Sequence, residues 1–148
     1  MKPLPHRYDI RLKGGPAGHA CLFSVGRPDL PTAPPREFGG PGDAWSPEHL
    51  LLSSVASCFL FTFRAVARAA HVEFVDLTVS AEGTVDHLAA VTMFTEIVLR
   101  PRLIVGRGTD REKLASVFAK TEKGCLVSAS LKTPVRFETE IVEDVAAA

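Results

Sequence analysis

The chain has 148 residues, 46% of them apolar and 23% charged, which suits one globular domain with a real core. Lys+Arg and Asp+Glu balance at 17 each, so no global field draws the protein to nucleic acid or to an anionic membrane. Three cysteines without a CxxC exclude a disulfide scaffold of the secreted kind, and the opening Met1-Lys-Pro-Leu-Pro-His-Arg-Tyr8 lacks the apolar run of a secretory signal. A cytoplasmic protein with reduced thiols is the expectation.

Tyr8 to Leu12 alternates apolar and polar residues as a half-buried strand does. Gly14-Gly-Pro-Ala-Gly18 makes a turn, and Ala20 to Val25 reads as the returning strand of a hairpin. Gly26 to Trp45 holds five prolines and four glycines and is read as a long ordered loop, a kind of segment that is more often functional than idle. Ser46-Pro-Glu48 then opens a helix: Ser46 caps, Pro47 suits the first helical position, and Glu48 complements the positive end of the dipole.

The helix is predicted to run to about Ala70. Leu50 to Phe63 is uncharged for 14 residues, short of the ~20 that span a bilayer, so it reads as buried in protein. Being apolar on every side, it needs cover all round, which a small single domain supplies poorly; a homodimer with helices packed across the interface meets that need. Strands follow over Glu73–Gly83 and Val91–Val105, joined near Asp86-His87. Thr109-Asp-Arg-Glu112 is a capping-box pattern ahead of a helix with an apolar stripe of Leu114, Val117 and Phe118, closed at Gly124. Pro134 to Val142 alternates as a last strand. The fold class is α+β in the order ββ-α-ββ-α-β, with antiparallel sheet and one buried helix.

The chemistry-bearing candidates are few. Cys58 lies in the apolar helix, where it is either a small core hydrophobe or a redox thiol activated by a neighbour. Burial alone raises a thiol pKa, so activation needs a cation, and Arg36 in Pro34-Pro-Arg-Glu-Phe-Gly-Gly40 is the nearest candidate ahead of the helix; its plainer reading is a solvated loop arginine. Glu48 could orient that arginine by a bidentate pair, or serve only the helix dipole. Glu48 and Cys58 are ten residues apart, about 15 Å of rise on a straight helix, so one site holding both requires a broken helix or the Glu48 of a second subunit.

Cys125 follows Gly124 and precedes a short helix whose N–H groups could face its sulfur; it is either an ordinary turn cysteine or a thiol placed to trap an oxidised partner. Cys21 is read as structural. His6, His19, His49, His71 and His87 form no HxxxH or HExxH, which argues against zinc. The absence of GxSxG argues against a serine hydrolase, and that of GxGxxG or a P-loop against nucleotide binding. Neither metal nor cofactor is expected.

Three blocks carry a family resemblance: Arg36-Glu-Phe-Gly-Gly-Pro-Gly-Asp43, Ser46-Pro-Glu-His-Leu-Leu-Leu-Ser-Ser-Val-Ala-Ser-Cys-Phe59 and Glu122-Lys-Gly-Cys-Leu-Val-Ser-Ala-Ser-Leu131. Over roughly Tyr8 to Val142 the chain resembles the OsmC/Ohr proteins, osmotically inducible and organic-hydroperoxide-resistance proteins. The resemblance implies an intertwined homodimer, with antiparallel sheets wrapped around buried central helices and two active sites at the interface. It also implies thiol-dependent reduction of organic hydroperoxides by a single OsmC/Ohr-like domain spanning the chain. Cys58 matches the peroxidatic cysteine, Cys125 the resolving one, and Glu48 the glutamate of the Pro-Glu-x-Leu element.

Ohr-type members carry an arginine after an early Gly-Gly pair, where this chain has Pro16; the resemblance to OsmC-type members places the arginine at Arg36 instead. Leu126 stands where many relatives have proline, so the chain resembles a divergent member. The partners implied are a hydroperoxide substrate and a dithiol reductant, a lipoylated protein among the candidates, with Phe59, Phe61, Phe63 and Trp45 as walls for a bulky hydroperoxide. Two competing expectations are a module binding a hydrophobic or acyl ligand and a slow redox sensor using the same cysteine pair.

Overall fold

A computed structural model describes residues 3–144. The chain divides into two compact units, one up to Leu51 and the other from Leu52 onward.

The N-terminal unit carries a three-stranded antiparallel sheet in the order β1 (Arg11–Lys13), β2 (Ala20–Phe23), β3 (Leu30–Thr32). The hairpin is as predicted, though its first strand begins at Arg11 rather than Tyr8. The proline-rich segment is not wholly loop. It contains β3, whose Pro31 is tolerated because β3 is an edge strand. A 3-10 turn follows over Arg36–Phe38. Thr32 Oγ1 donates to the Trp45 carbonyl at 2.5 Å and the Ala33 N–H to the same carbonyl at 3.1 Å, so the stretch from Thr32 to Trp45 is closed at its base.

Helix α1 (Pro47–Ala69) begins where the capping signals put it. The Ser46 carbonyl accepts from Leu50 N at 2.9 Å and its hydroxyl from His49 N at 3.3 Å. Its length and composition are those of a possible membrane span. Its fully buried stripe, Val55, Phe59, Phe63 and Ala67, is instead set at four-residue spacing into the protein core. Only that stripe is fully buried, with Ala56, Cys58, Leu60 and Val66 partly covered beside it. Phe61, on another side, is 62% exposed, so the all-round burial expected of the helix is not achieved within one chain.

The second unit pairs β4 (Asp76–Leu88) with β5 (Val91–Val105) in a long antiparallel hairpin, followed by α2 (Arg111–Gly124), a four-residue α3 (Leu126–Ala129), β6 (Val135–Phe137) and β7 (Glu140–Glu143). The single closing strand expected over Pro134–Val142 is therefore two short ones, and both run parallel to β5, which makes this sheet mixed rather than antiparallel. The cause is topological: α2 and α3 form a crossover that returns the chain to the same end of the sheet, and such a connection yields parallel neighbours. The α2 cap also differs by one residue. Asp110 accepts from the N–H groups of Glu112 and Lys113, both at 3.0 Å, while Thr109 donates to the Gly106 carbonyl.

The core lies in this unit. Phe59 and Phe63 meet Phe118 of α2 with ring centroids 6.4 and 4.9 Å apart, Phe137 of β6 lies 5.5 Å from Phe59, and Phe74 lies 5.4 Å from Phe63. Leu77, Leu99, Leu103, Val105, Leu114 and Val117 complete it. On an exposed part of the sheet Arg100 bridges Glu82 and Glu138, and Arg136 bridges Glu96 and Glu138, linking three strands by charge.

The β4–β5 turn falls at Ala89-Ala90, not at Asp86-His87, and both alanines have positive φ (47° and 67°). A two-residue turn with two positive φ values suits Asn-Gly, whereas alanine is strained there by roughly 1–2 kcal/mol per residue. Ala89→Asn with Ala90→Gly is expected to raise unfolding stability by about 1–2 kcal/mol, read as a higher urea midpoint at unchanged slope.

Candidate active site

Two of the four residues singled out by sequence lie in the second unit, and they are neighbours. Cys58 sits on α1, half-buried against the core cluster that holds Cys125; Cys125, fully buried, stands between α2 and α3, and the two thiols are near enough for Cys58 to influence the ionisation of Cys125. Burial pushes the Cys125 thiol above its ordinary range, and the neighbouring Cys58 sulfur pushes it the same way. Ser128 opposes that shift. Its hydroxyl donates to Cys125 Sγ at 3.1 Å, one turn along α3.

The short helix begins at Leu126 as expected, but the sulfur takes no capping hydrogen bond from it. The main donor is the Ser128 side chain, with the Ser128 N–H exerting a weaker pull. Sequence reading passed over this serine. Its spacing of three from Cys125 on a helical turn is the signal that could have found it.

The other two candidates lie in the N-terminal unit. Arg36 opens the 3-10 turn, and its side chain lies over Gly42, where a Cβ would collide with it; Gly42 has φ +73°. Asp43 is held below the usual carboxylate range, chiefly by the hydrogen bond from His19 Nε2 at 2.7 Å and to a lesser extent by the Arg36 charge. That His19–Asp43 pair was not foreseen. Nor is the expected Arg36–Glu48 pair formed. Glu48 Oε2 is buried with no hydrogen-bond partner among the described residues. Glu48 lines a cavity of about 300 Å³ with Leu12, Ala33, Pro34, Phe38 and Pro47.

Helix α1 is unbroken from Pro47 to Ala69, which removes the broken-helix route to joining Glu48 with Cys58. Of the aromatic walls expected, Phe59 and Phe63 are fully buried core residues; Phe61 and Trp45 keep exposed surface. His49 spends its Nδ1 on the Ser46 hydroxyl at 2.7 Å, an interaction of the helix cap. Cys21 lies on β2, its thiol at a long 3.9 Å from the Leu22 carbonyl. Among the described residues no cluster of three His, Cys, Asp or Glu side chains could hold a metal ion.

The sequence model of the OsmC family, described as OsmC-like protein, matches residues 40–140. The chain belongs to the OsmC-like family. Its low similarity to individual relatives fits a divergent member of that family. YmaD of Bacillus subtilis strain 168, an uncharacterized protein, is 27% identical over 109 residues, covering 72% of this chain and 73% of YmaD.

Solved structures share the fold. An OsmC-like protein of unknown function from Vibrio cholerae superposes with a TM-score of 0.83 at 16% identity, over 91% of this chain and 99% of that one. An organic hydroperoxide resistance protein, OsmC, from Legionella pneumophila does so at 0.73 and 24% identity, over 94% and 98%. The α+β OsmC-like fold is thus that of this chain, with both cysteines inside the matched segment.

Proposed function

We propose that the protein is a thiol-dependent peroxidase that reduces organic hydroperoxides through Cys58 and Cys125. The family and the hydroperoxide-resistance protein among its structural relatives support a stress- or redox-related role. The observation that carries the finer reading is the side-by-side placement of the two thiols, from elements 67 residues apart in the chain, with the buried one pushed toward its protonated form.

The Cys58 thiolate attacks the O–O bond and takes the terminal OH as a sulfenic acid, while the departing alkoxide picks up a proton from solvent and leaves as the alcohol. Cys125 then condenses with it to a disulfide and water, and an external dithiol returns both thiols. Arg36 is assigned to steadying the thiolate and the departing oxygen, and Glu48, which does not pair with Arg36 within one chain, to orienting the arginine of a second subunit. Addition of one equivalent of cumene hydroperoxide to reduced protein, followed by thiol quenching and disulfide mapping, tests this. A Cys58–Cys125 link formed within seconds supports the reading; free thiols, or oxidation spread over all three cysteines, would falsify it. Turnover with added dithiol distinguishes a peroxidase from a sensor that forms the same disulfide and stops.

The active unit in this reading is a homodimer. One face of α1 is buried and Phe61 lies open, while Tyr8, Ile10 and Leu12 expose alternate apolar side chains along and just before β1. An unbroken helix leaves a second subunit as the source of a Glu48 for each Cys58 site. Light scattering is expected to give twice the chain mass, and Phe61→Asp to shift the population to monomer with loss of peroxide reduction. A monomeric wild-type chain of full activity would overturn this part.

A further inference from the structure

We infer that Ser128 is a catalytic residue of the disulfide-forming step, its hydroxyl holding Cys125 Sγ as that sulfur attacks the Cys58 sulfenic acid. The inference rests on the peroxidase reading for its reaction, and on geometry for its residue. Ser128 Oγ donates to Cys125 Sγ at 3.1 Å, and the sulfur is wholly enclosed, so water cannot supply that hydrogen bond.

Resolution makes the hydrogen bond matter. As the S–S bond forms, Cys125 contributes the electron pair and is oxidised. The S–O bond of Cys58 breaks, and the departing hydroxide takes the Cys125 proton and leaves as water. Negative charge builds on a buried sulfur while its proton is passing across. Burial and the adjacent Cys58 sulfur both oppose that charge, and the Ser128 hydroxyl is the principal group opposing them. A neutral donor already in place needs no reorganisation when the charge appears.

The plainer alternative makes the hydroxyl a local tie for a four-residue helix. That role predicts a change in stability and no change in any thiol pH profile. The helix has other ties: Ala129 N donates to the Cys125 carbonyl at 3.0 Å, and Ser130 Oγ to the Leu126 carbonyl at 2.9 Å.

Ser128→Ala is expected to leave the rate of sulfenic acid formation unchanged and to slow disulfide formation about tenfold, the worth of one hydrogen bond to a charged group. The pH profile of the second step should move to higher pH, and Ser128→Thr should restore both. Trapping sulfenate in stopped samples reads the first step and disulfide mapping reads the second.

A readout free of peroxide chemistry uses the Cys21→Ser/Cys58→Ser background, in which ultraviolet absorbance follows ionisation of Cys125 alone. Adding Ser128→Ala should raise the pH at which that thiolate appears. Unchanged resolution and unchanged ionisation overturn the role of Ser128 even if the peroxidase reading stands. A wild-type chain that forms no sulfenate overturns the peroxidase reading, while the ionisation experiment still decides whether the hydroxyl supports the thiolate.

Discussion

Cys58→Ser is expected to lower hydroperoxide consumption by about a thousandfold or more, while Cys125→Ser keeps one turnover and stalls as a trapped sulfenic acid. The asymmetry follows from the two environments. A serine at position 58 has nearly the same volume, but its hydroxyl does not ionise near neutral pH and is a poor nucleophile toward an O–O bond. Cys125 is fully enclosed and biased toward its protonated form, so it is poorly placed to meet hydroperoxide first and well placed to wait beside Cys58. Cys21→Ser, on the half-buried strand β2, should leave both steps unaltered. Burst kinetics with dimedone trapping separates these cases. A trapped sulfenic acid in Cys58→Ser with none in Cys125→Ser would reverse the assignment of roles.

The pairing of those thiols was not readable from spacing. Nothing local brings position 58 to position 125; the contact exists because α1 buries Phe59 and Phe63 against Phe118 of α2, and Cys125 closes that helix. Resemblance to a family supplied the pair in advance, and packing supplies its physical reason. By contrast the start of α1 was legible residue by residue, since Ser46, Pro47 and Glu48 act through bonds and charges within one turn. The β4–β5 turn was missed for an equally local reason: Ala89-Ala90 carries no turn signal and is held by the long ladder on either side. Parallel pairing of β6 and β7 with β5 depends on where the α2–α3 crossover lands, which alternation of side chains cannot express.

The same division runs through the candidate site. Cys58, Cys125, Arg36 and Glu48 stand out as residue types in unusual settings, and that much sequence conveys. Whether a hydroxyl reaches a sulfur, or an arginine lies against Gly42 beside Asp43 rather than pairing with Glu48, is decided by a few ångströms of side-chain placement. Glu48 Oε2 is buried with no hydrogen-bond partner among the described residues. A buried carboxylate oxygen is stabilised by a donor, and Leu12, Ala33, Pro34, Phe38 and Pro47, which line its cavity, supply none.

Phe59→Ala is expected to destabilise the chain by about 3–5 kcal/mol, among the largest stability losses available to a single substitution. Phe59 has no exposed surface, stacks on Phe63 and Phe118 and lies tilted against Phe137, so truncation removes contacts to α1, α2 and β6 together and leaves a cavity that three rigid rings cannot fill. The loss is comparable with the total stability of a small domain at the lower end of the usual ~5–15 kcal/mol, and partial unfolding at 37 °C is the visible result. Phe59→Leu keeps most of the volume and should cost nearer 1.5 kcal/mol. Because Phe59 adjoins Cys58, the pair of variants also separates packing from chemistry. If the ring only holds the core, Phe59→Leu forms the Cys58–Cys125 disulfide at close to the wild-type rate after peroxide. A Phe59→Leu protein that is fully folded by circular dichroism yet forms no disulfide would make the ring part of the reacting site rather than its support.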